Sequence, residues 1–260
     1  MEGTVGITYR HHVTKEPKPD AYSMHMHNTY ELLYFLAGDA THVIEDRKYK
    51  LKRGDLILIR PLQYHFIRID SSADYERYNV LFDPQMHHVE GLDLIPDDLE
   101  VINLTSNPIA DAILQRCDLY RKECSDEQFQ HLLSHLLSEL FYNIGLFAEE
   151  PGTKEIASLS PLISSALRYI NENLCTVSGI DEVARYLFIS ESYLFRIFKS
   201  ELHQTPKKYI LEKRLLMAQK KILSGEKPSA VAAECGFGDY TVFYRNYLSR
   251  FGRPPSRDAI

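Results

Sequence analysis

The side chains best suited to chemistry are three histidines and a glutamate in the N-terminal part of the chain. His25, His27 and Glu31 follow the spacing HxHxxxE, and His65 comes later. On a strand, residues two apart point to one face, so both imidazoles of the motif can enter one interior. Three imidazoles and a carboxylate suit Zn, Fe, Mn or Ni. The pattern predicts either a divalent metal site or a set of hydrogen-bonding groups for a polar ligand.

A second set of side chains that could bind a ligand lies on two helical segments near the C-terminus. Each follows a supporting helix and a tight turn, and each opens with a capping residue, Ser190 in the first and Asp239 in the second. Residues three and four apart share a helix face, and an α-helix fits the major groove of DNA. The outward positions, which we expect to contact DNA, are Ser192, Phe195, Arg196, Lys199, Tyr240, Thr241, Tyr244 and Arg245.

These outward side chains predict different parts of DNA recognition. Arg196 and Arg245 can each offer two donors to guanine, which makes them the leading specificity residues. Phe195 and Tyr244 suit thymine methyl groups. Lys199 suits phosphate, which adds affinity and salt dependence without sequence information.

The elements that must position these residues differ between the two parts of the chain. Between about Thr8 and Leu81, short β-branched and aromatic runs separated by turn residues predict about eight antiparallel strands in a barrel or double-sheet jelly roll. From Ser125 a capping box with Gln128 opens a helix with one apolar stripe, and residues 108–121 pair with it as a hairpin. That stripe could pack under the sheet or form a dimer contact.

The strand and helix patterns predict an α+β protein, and its length and charge distribution predict separate sensing and DNA-binding domains. The chain has 260 residues and a net charge of -6. From residue 155 onward, 15 basic residues stand against 11 acidic ones, whereas the preceding part has 15 against 25. The predicted domains are a barrel at 1–105, a helical hairpin at 106–150, a linker at 151–160 and an all-α tandem helix-turn-helix domain at 161–260.

Two classes of protein are disfavoured by the sequence. The cysteines show no CxxC spacing, which argues against a zinc or disulfide framework. No secretory signal or membrane-length apolar run is present, so we expect a cytoplasmic protein without membrane contact.

Residues 163–256 resemble the AraC/XylS family of transcription regulators. The positions that carry the resemblance are Pro206, Tyr209, Ile210, Arg214, Leu215, Ala218 and Leu223, then Gly236, Phe237, Asp239, Phe243, Arg245, Phe251, Gly252 and Pro255. The resemblance implies a homodimeric, effector-responsive activator that binds promoter DNA and contacts RNA polymerase. It also implies that the outward helix positions include the base-contacting ones.

The chain departs from that family pattern at several positions. His203 stands where glycine usually ends the first recognition helix, so we expect a left-handed backbone there. Leu248 and Ser249 replace residues that are commonly basic. The last residues, from Arg257, lack the family's usual aromatic-Arg ending, which leaves their packing open.

The histidine motif, with Gly38, Gly54, Pro61 and His65, resembles the two cupin motifs. The resemblance implies a cupin-like double-stranded barrel, and sensor barrels attached to AraC-type domains usually lack a catalytic metal. His25, His27, Glu31, Tyr34 and His65 are therefore candidate contacts for an effector, which a sugar or a small aromatic compound would fit. The alternatives are a metal-dependent cupin enzyme fused to a DNA-binding module, and a constitutive DNA-binding protein with a structural barrel.

Overall fold

The computed structural model describes residues 6–19, 21–147 and 157–259. Its contacts divide the chain into two compact units, which are described separately. The first unit comprises residues 1–25 and 29–157, and the second comprises residues 26–28 and 158–260. Most of the predicted linker, residues 151–156, lies outside the described residues.

The first unit is built on short antiparallel strands. They are β1 (Thr8–Thr14), β2 (Tyr30–Ala37), β3 (Ala40–Ile44), β4 (Arg47–Lys50), β5 (Asp55–Ile59), β6 (His65–Ile69), β7 (Tyr75–Phe82) and β8 (Val101–Asn103). One sheet has the order β1-β7-β2-β5-β8, and β3 pairs with both β6 and β4 in the other. The predicted antiparallel double-sheet architecture is confirmed, although the eighth strand lies beyond the predicted range.

Strand alternation gives the larger sheet two apolar faces. Leu33, Phe35 and Ile57 pack toward the smaller sheet, against residues such as Ile44 and Ile67. Their neighbours Leu32 and Leu56 pack on the opposite face, in a second cluster that includes the helical hairpin. Both faces of the larger sheet are thus covered.

The hairpin that covers the larger sheet consists of α1 (Pro108–Glu123) and α2 (Asp126–Phe147). The predicted capping box is confirmed: Ser125 N donates to Gln128 Oε1 at 3.0 Å, and Gln128 N donates to Ser125 Oγ at 3.3 Å. Along α2 the apolar stripe, which includes Leu133 and Leu140, is buried in the cluster shared with the sheet. Of the two predicted roles for this stripe, the structure therefore shows packing under the sheet.

The second unit is helical. After the two-residue strand β9 (Ala157–Ser158) come α3 (Pro161–Glu172), α4 (Ile180–Tyr186), α5 (Glu191–Leu202), α6 (Pro206–Leu223), α7 (Pro228–Glu234) and α8 (Tyr240–Phe251). Ser190 and Asp239 cap α5 and α8 as predicted, since their side chains accept from Tyr193 N and Val242 N. His203 has φ 53, which confirms the predicted left-handed end of α5.

Arg214 of α6 ties the two halves of this unit together. Its guanidinium donates to three backbone carbonyls: those of Leu174 at 2.8 Å, Val177 at 2.6 Å and Gly236 at 2.9 Å. The first two carbonyls follow α3, and the third lies in the turn between α7 and α8. One side chain therefore fixes that turn against the start of the unit.

The Asp258 side chain anchors the end of the unit. It accepts a hydrogen bond from Tyr247 Oη at 2.5 Å and pairs with Arg253 Nε at 2.6 Å. Its side chain is almost fully buried. The ending that departs from the family pattern therefore packs through a carboxylate onto α8.

The Arg214 contacts predict an unequal response at two left-handed glycines. Gly236 and Gly252 have φ of 79 and 70, so an alanine at either position meets backbone strain of about 1 kcal/mol. At Gly236 a Cβ would also lie 2.3 Å from the Cys175 carbonyl oxygen and 2.9 Å from Arg214, whereas Gly252 has open space. We expect Gly236→Ala to lower the free energy of unfolding by about 2 to 4 kcal/mol.

Gly252→Ala is the matched control, with an expected loss of about 1 kcal/mol. Urea denaturation of the full chain, followed by far-UV circular dichroism, measures both. Equal losses in the two variants would contradict the close packing of Gly236 against Cys175 and Arg214.

Candidate DNA-binding and effector-binding sites

The second unit presents two capped helices with exposed outer faces. All eight positions predicted to contact DNA are exposed: Ser192, Phe195, Arg196, Lys199, Tyr240, Thr241, Tyr244 and Arg245. The inner faces are buried through Leu194 and Phe198 on α5, and through Phe243 and Tyr247 on α8. Each helix therefore has its inner face fixed by packing and its outer side chains accessible.

A ring contact involves the first outer arginine, and a carboxylate cap lies near the second. The Arg196 guanidinium lies over the Tyr193 ring, 5.0 Å from its centroid. The Asp239 cap has a lowered pKa, chiefly because its carboxylate accepts from Val242 N, and Arg245 adds a favourable charge. Arg196 thus lies against a ring of its own helix, α5. Arg245 is on α8, the helix that the Asp239 carboxylate caps.

The first helix-turn-helix is also fixed at its entry by Glu182 of α4. Its carboxylate accepts from Ser178 N at 3.0 Å, from Ser178 Oγ at 2.8 Å and from Tyr169 Oη at 2.8 Å. The hydrogen bonds from Ser178, followed by that from Tyr169, lower the pKa of Glu182 to about 2. The ionised carboxylate therefore joins α3 to the start of α4.

An aromatic residue beside the first recognition helix was missed in the sequence. Phe188, in the turn between α4 and α5, is 96% exposed and has φ 55. Its signal was a large apolar residue at a turn position, where a small residue is usual. The side chain adds an apolar contact point to the same end of the unit as α5.

In the first unit, strands of opposite sheets bring three of the predicted ligands together. His25, Glu31 and His65 each offer a ligand atom, and these atoms lie within 4.8 Å of one another. The fourth predicted ligand, His27, belongs to the second unit. The backbones of His25 and His65 exchange hydrogen bonds of 3.1 and 3.0 Å. His25 is therefore held beside His65, the first residue of β6. Glu31 lies on β2, and its Oε2 is 3.3 Å from His65 Nε2.

Backbone carbonyls orient two of these imidazoles. His25 Nδ1 lies 2.9 Å from the Ser23 carbonyl oxygen, and His65 Nδ1 lies 3.0 Å from that of Gln63. In the neutral rings, Nδ1 then carries the proton and Nε2 keeps the lone pair that a metal requires. Asn79 Nδ2 donates to Glu31 Oε1 at 2.5 Å, which orients the carboxylate. The donor set of imidazole nitrogens and one carboxylate fits a divalent transition metal.

Two details of the predicted effector site differ from the structure. His25 forms an isolated bridge and β2 begins at Tyr30, so the histidine motif is not on a continuous strand. Tyr34 does not join the cluster: it packs on the hairpin face of the sheet, and its hydroxyl donates to Asp111 at 2.6 Å. Because it is three residues from Glu31, strand alternation puts it on the opposite face.

Two protein-family models match the chain. A family described as "AraC-like ligand binding domain" matches residues 14–169, which is more than half of the chain. The chain belongs to the AraC family of transcription regulators. A second family, described as "Helix-turn-helix domain", matches residues 183–258 of this AraC-family protein.

Individual relatives match the AraC-family chain over different extents. The probable transcriptional regulator LumQ of Photobacterium leiognathi is 33% identical over 34% of this chain and 36% of its own. The raffinose operon transcriptional regulatory protein RafR of Pediococcus pentosaceus is 27% identical over 48% of this chain and 46% of its own. A solved structure of ToxT from Vibrio cholerae is 13% identical, covers 97% of each chain and has a TM-score of 0.39. The alignments span less than half the length of the two curated relatives.

Within the described ranges, no helix combines the length and apolar character needed to cross a bilayer.

The Glu182 contacts predict an acid-sensitive first helix-turn-helix. Because the folded-state pKa is lowered from 4.5 to about 2, the ionised carboxylate stabilises the fold above pH 4.5, and this contribution is lost as the pH falls toward 2. We expect Glu182→Gln to be less stable than wild type at neutral pH and to lose less stability between pH 4.5 and 2. Urea midpoints across this range measure the difference.

Glu172→Gln is the control, because Glu172 is an exposed carboxylate of the same unit without such a set of donors in the described chain. If both variants followed the wild-type acid profile, the Glu182 contacts would have no part in it.

Proposed function

We propose that this protein is a small-molecule-responsive activator of transcription that binds promoter DNA through α5 and α8. The observation that carries this proposal is the pair of capped helices, each with a buried inner face and an outer face of cationic and aromatic side chains. Membership of the AraC family supports it. We infer that it acts in the cytoplasm, where promoter DNA is accessible.

The proposed input is a small molecule bound in the β-sheet part of the first unit. Effector binding is expected to bias how the recognition helices meet DNA, and hence contact with RNA polymerase. A homodimer is the proposed assembly. Because most of the α2 stripe is buried within the unit, a dimer contact needs other surfaces, such as the exposed Leu119 and Leu146 side chains on the hairpin.

Arg196 and Arg245 provide the test of sequence-specific DNA binding. Each alanine substitution removes a bidentate donor to guanine, so we expect a loss of about 1 to 3 kcal/mol and relaxed preference at one part of the site. Genomic fragments selected by the wild-type protein, followed by binding titrations with single-base changes, measure this.

Lys199→Ala is the matched control from the same exposed face of α5. It should weaken binding to all sequences similarly and lower the slope of log affinity against log salt by about 1. If neither arginine variant changed base preference, α5 and α8 would not be the reading helices.

A second candidate function is divalent metal binding at His25, Glu31 and His65 of the first unit. The orientation of the imidazoles by backbone carbonyls favours it over an unrelated histidine group. The metal would supply a Lewis-acid anchor for a polar effector. The competing enzyme hypothesis, a metal-dependent cupin fused to a DNA-binding module, would use the same residues for turnover.

Metal content tests this second function. We expect wild-type protein to bind zinc or manganese at one equivalent, and His65→Ala to weaken binding by more than the roughly 10- to 100-fold loss caused by removing a supporting partner. Calorimetry after chelation measures affinity. His135→Ala, which removes an exposed histidine of α2, should bind like wild type.

The outcomes separate the alternatives. No metal binding, or equal binding by the His65 and His135 variants, would eliminate the metal site and with it the metal-dependent enzyme. Metal binding together with turnover lost in His65→Ala would favour the enzyme over a sensor.

A further inference from the structure

An arginine is buried between the two sheets of the first unit, in otherwise mainly apolar surroundings. Arg77 lies on β7 two residues from Tyr75 and two from Asn79, so all three share the strand face that is directed to the interior. Only 8% of Arg77 is exposed. Phe35 is its directly paired neighbour on β2 and belongs to the interior apolar cluster.

The Arg77 guanidinium has aromatic contacts but no anionic partner among the residues that the structure describes. It lies 4.6 Å from the ring centroids of both Tyr22 and Tyr75. Its single hydrogen bond within those residues goes to Tyr22 Oη, at 3.3 Å. A guanidinium has five N–H donors, and a buried cation needs a counter-charge or several acceptors. Among the described residues, one hydrogen bond and two ring contacts meet part of this requirement.

Two further buried polar groups of the same interior lack partners. Within the described ranges, the two ring nitrogens of His42 on β3 have no hydrogen-bond partner, and the Tyr75 hydroxyl has none either. Both residues have 0% exposure. The charge of Arg77 acts on His42 across the space between the sheets. Buried polar groups are nearly always hydrogen-bonded, so these groups on facing strands have donors and acceptors available to a ligand.

We propose that Arg77, with Tyr75 and His42, is the binding site for a monocarboxylate effector with an apolar body. This inference rests on the proposed effector-responsive function and names the chemical class of the effector. A carboxylate accepts two parallel hydrogen bonds from a guanidinium and neutralises its charge. The Tyr75 hydroxyl and the single ring N–H of a neutral His42 would supply further donors, and the apolar body would pack against the cluster that includes Phe35 and Ile57.

A carboxylate fits this site better than a phosphate. One buried guanidinium balances the single charge of a carboxylate, whereas a phosphate monoester brings nearly two charges. The aromatic pair and the aliphatic cluster also suit a ligand that is largely apolar. A neutral sugar would leave the charge of Arg77 uncompensated.

Calorimetry and thermal denaturation of the full chain test this inference. The probes are benzoate and hexanoate, their neutral amides benzamide and hexanamide, and inorganic phosphate. We expect a saturable rise in melting temperature with at least one of the two carboxylates and none with the amides or phosphate. Arg77→Gln should abolish the rise, and Arg77→Lys, which keeps the charge but not the two parallel donors, should weaken affinity about tenfold or more.

Arg10→Gln is the matched control, because Arg10 is an exposed arginine on β1 of the same sheet, and it should bind the carboxylates like wild type. The Lys variant and Tyr75→Phe, which should bind more weakly, keep the test decisive if Arg77→Gln does not fold. Equal binding of acids and amides, a response to phosphate alone, no response to either carboxylate, or an unchanged response in the Arg77 variants would overturn the site.

Failure here is distinguishable from failure of the proposed function. The DNA-binding test, which compares wild type with the Arg196 and Arg245 variants, requires no carboxylate. If that test showed sequence-specific binding but neither carboxylate bound, only the proposed effector class would be rejected.

Discussion

The geometry of the DNA-binding unit depends on the Arg214 guanidinium and the three carbonyls that it satisfies. Those carbonyls belong to the loop after α3 and to the turn at Gly236 before α8. Each would otherwise be a costly unsatisfied acceptor where the chain reverses, so one side chain both neutralises that cost and fixes the spacing. The capped recognition helices are then oriented by their buried inner faces, and their outer faces need no role in stability.

The first unit follows a different constraint, which is the two-residue period of its strands. That period gives the larger sheet an outer face for the hairpin and an inner face toward the smaller sheet. The interior between the sheets contains Glu31 and Arg77 from the larger sheet and His42 and His65 from the smaller one, among apolar residues. Charged groups in such a place are unfavourable unless partnered, so the sheet interior combines a stable scaffold with unmet polar requirements. An effector that meets them can stabilise one state of the unit.

The histidine cluster and the Arg77 site lie along this same interior. His65 and Glu31 form one polar group at 3.3 Å, and the His42 ring stacks toward His65 with centroids 6.0 Å apart. Burial lowers the pKa of His42 to about 3, and the neighbouring His65 adds to the effect. His42 is therefore neutral at physiological pH, which leaves Arg77 as the fixed positive charge on its side of the interior.

Local signals in the sequence were enough for the helical half and for the fold class. The helix caps form through contacts between residues three apart in sequence, at Ser190, at Asp239 and in the Ser125–Gln128 box. The spacing of apolar residues determines which faces of α5 and α8 are buried. The sequence predicted the apolar stripe on α2. Whether a sheet or a second chain covers that stripe depends on residues distant in the sequence. Tyr34 packs on the hairpin face of the sheet, because strand alternation separates it from Glu31 three residues earlier. The buried polar groups of Tyr75 and His42, which have no hydrogen-bond partner among the described residues, and the nearly buried Arg77 are evident only in the tertiary structure. The reason is that satisfaction of a buried polar group is a property of the assembled interior.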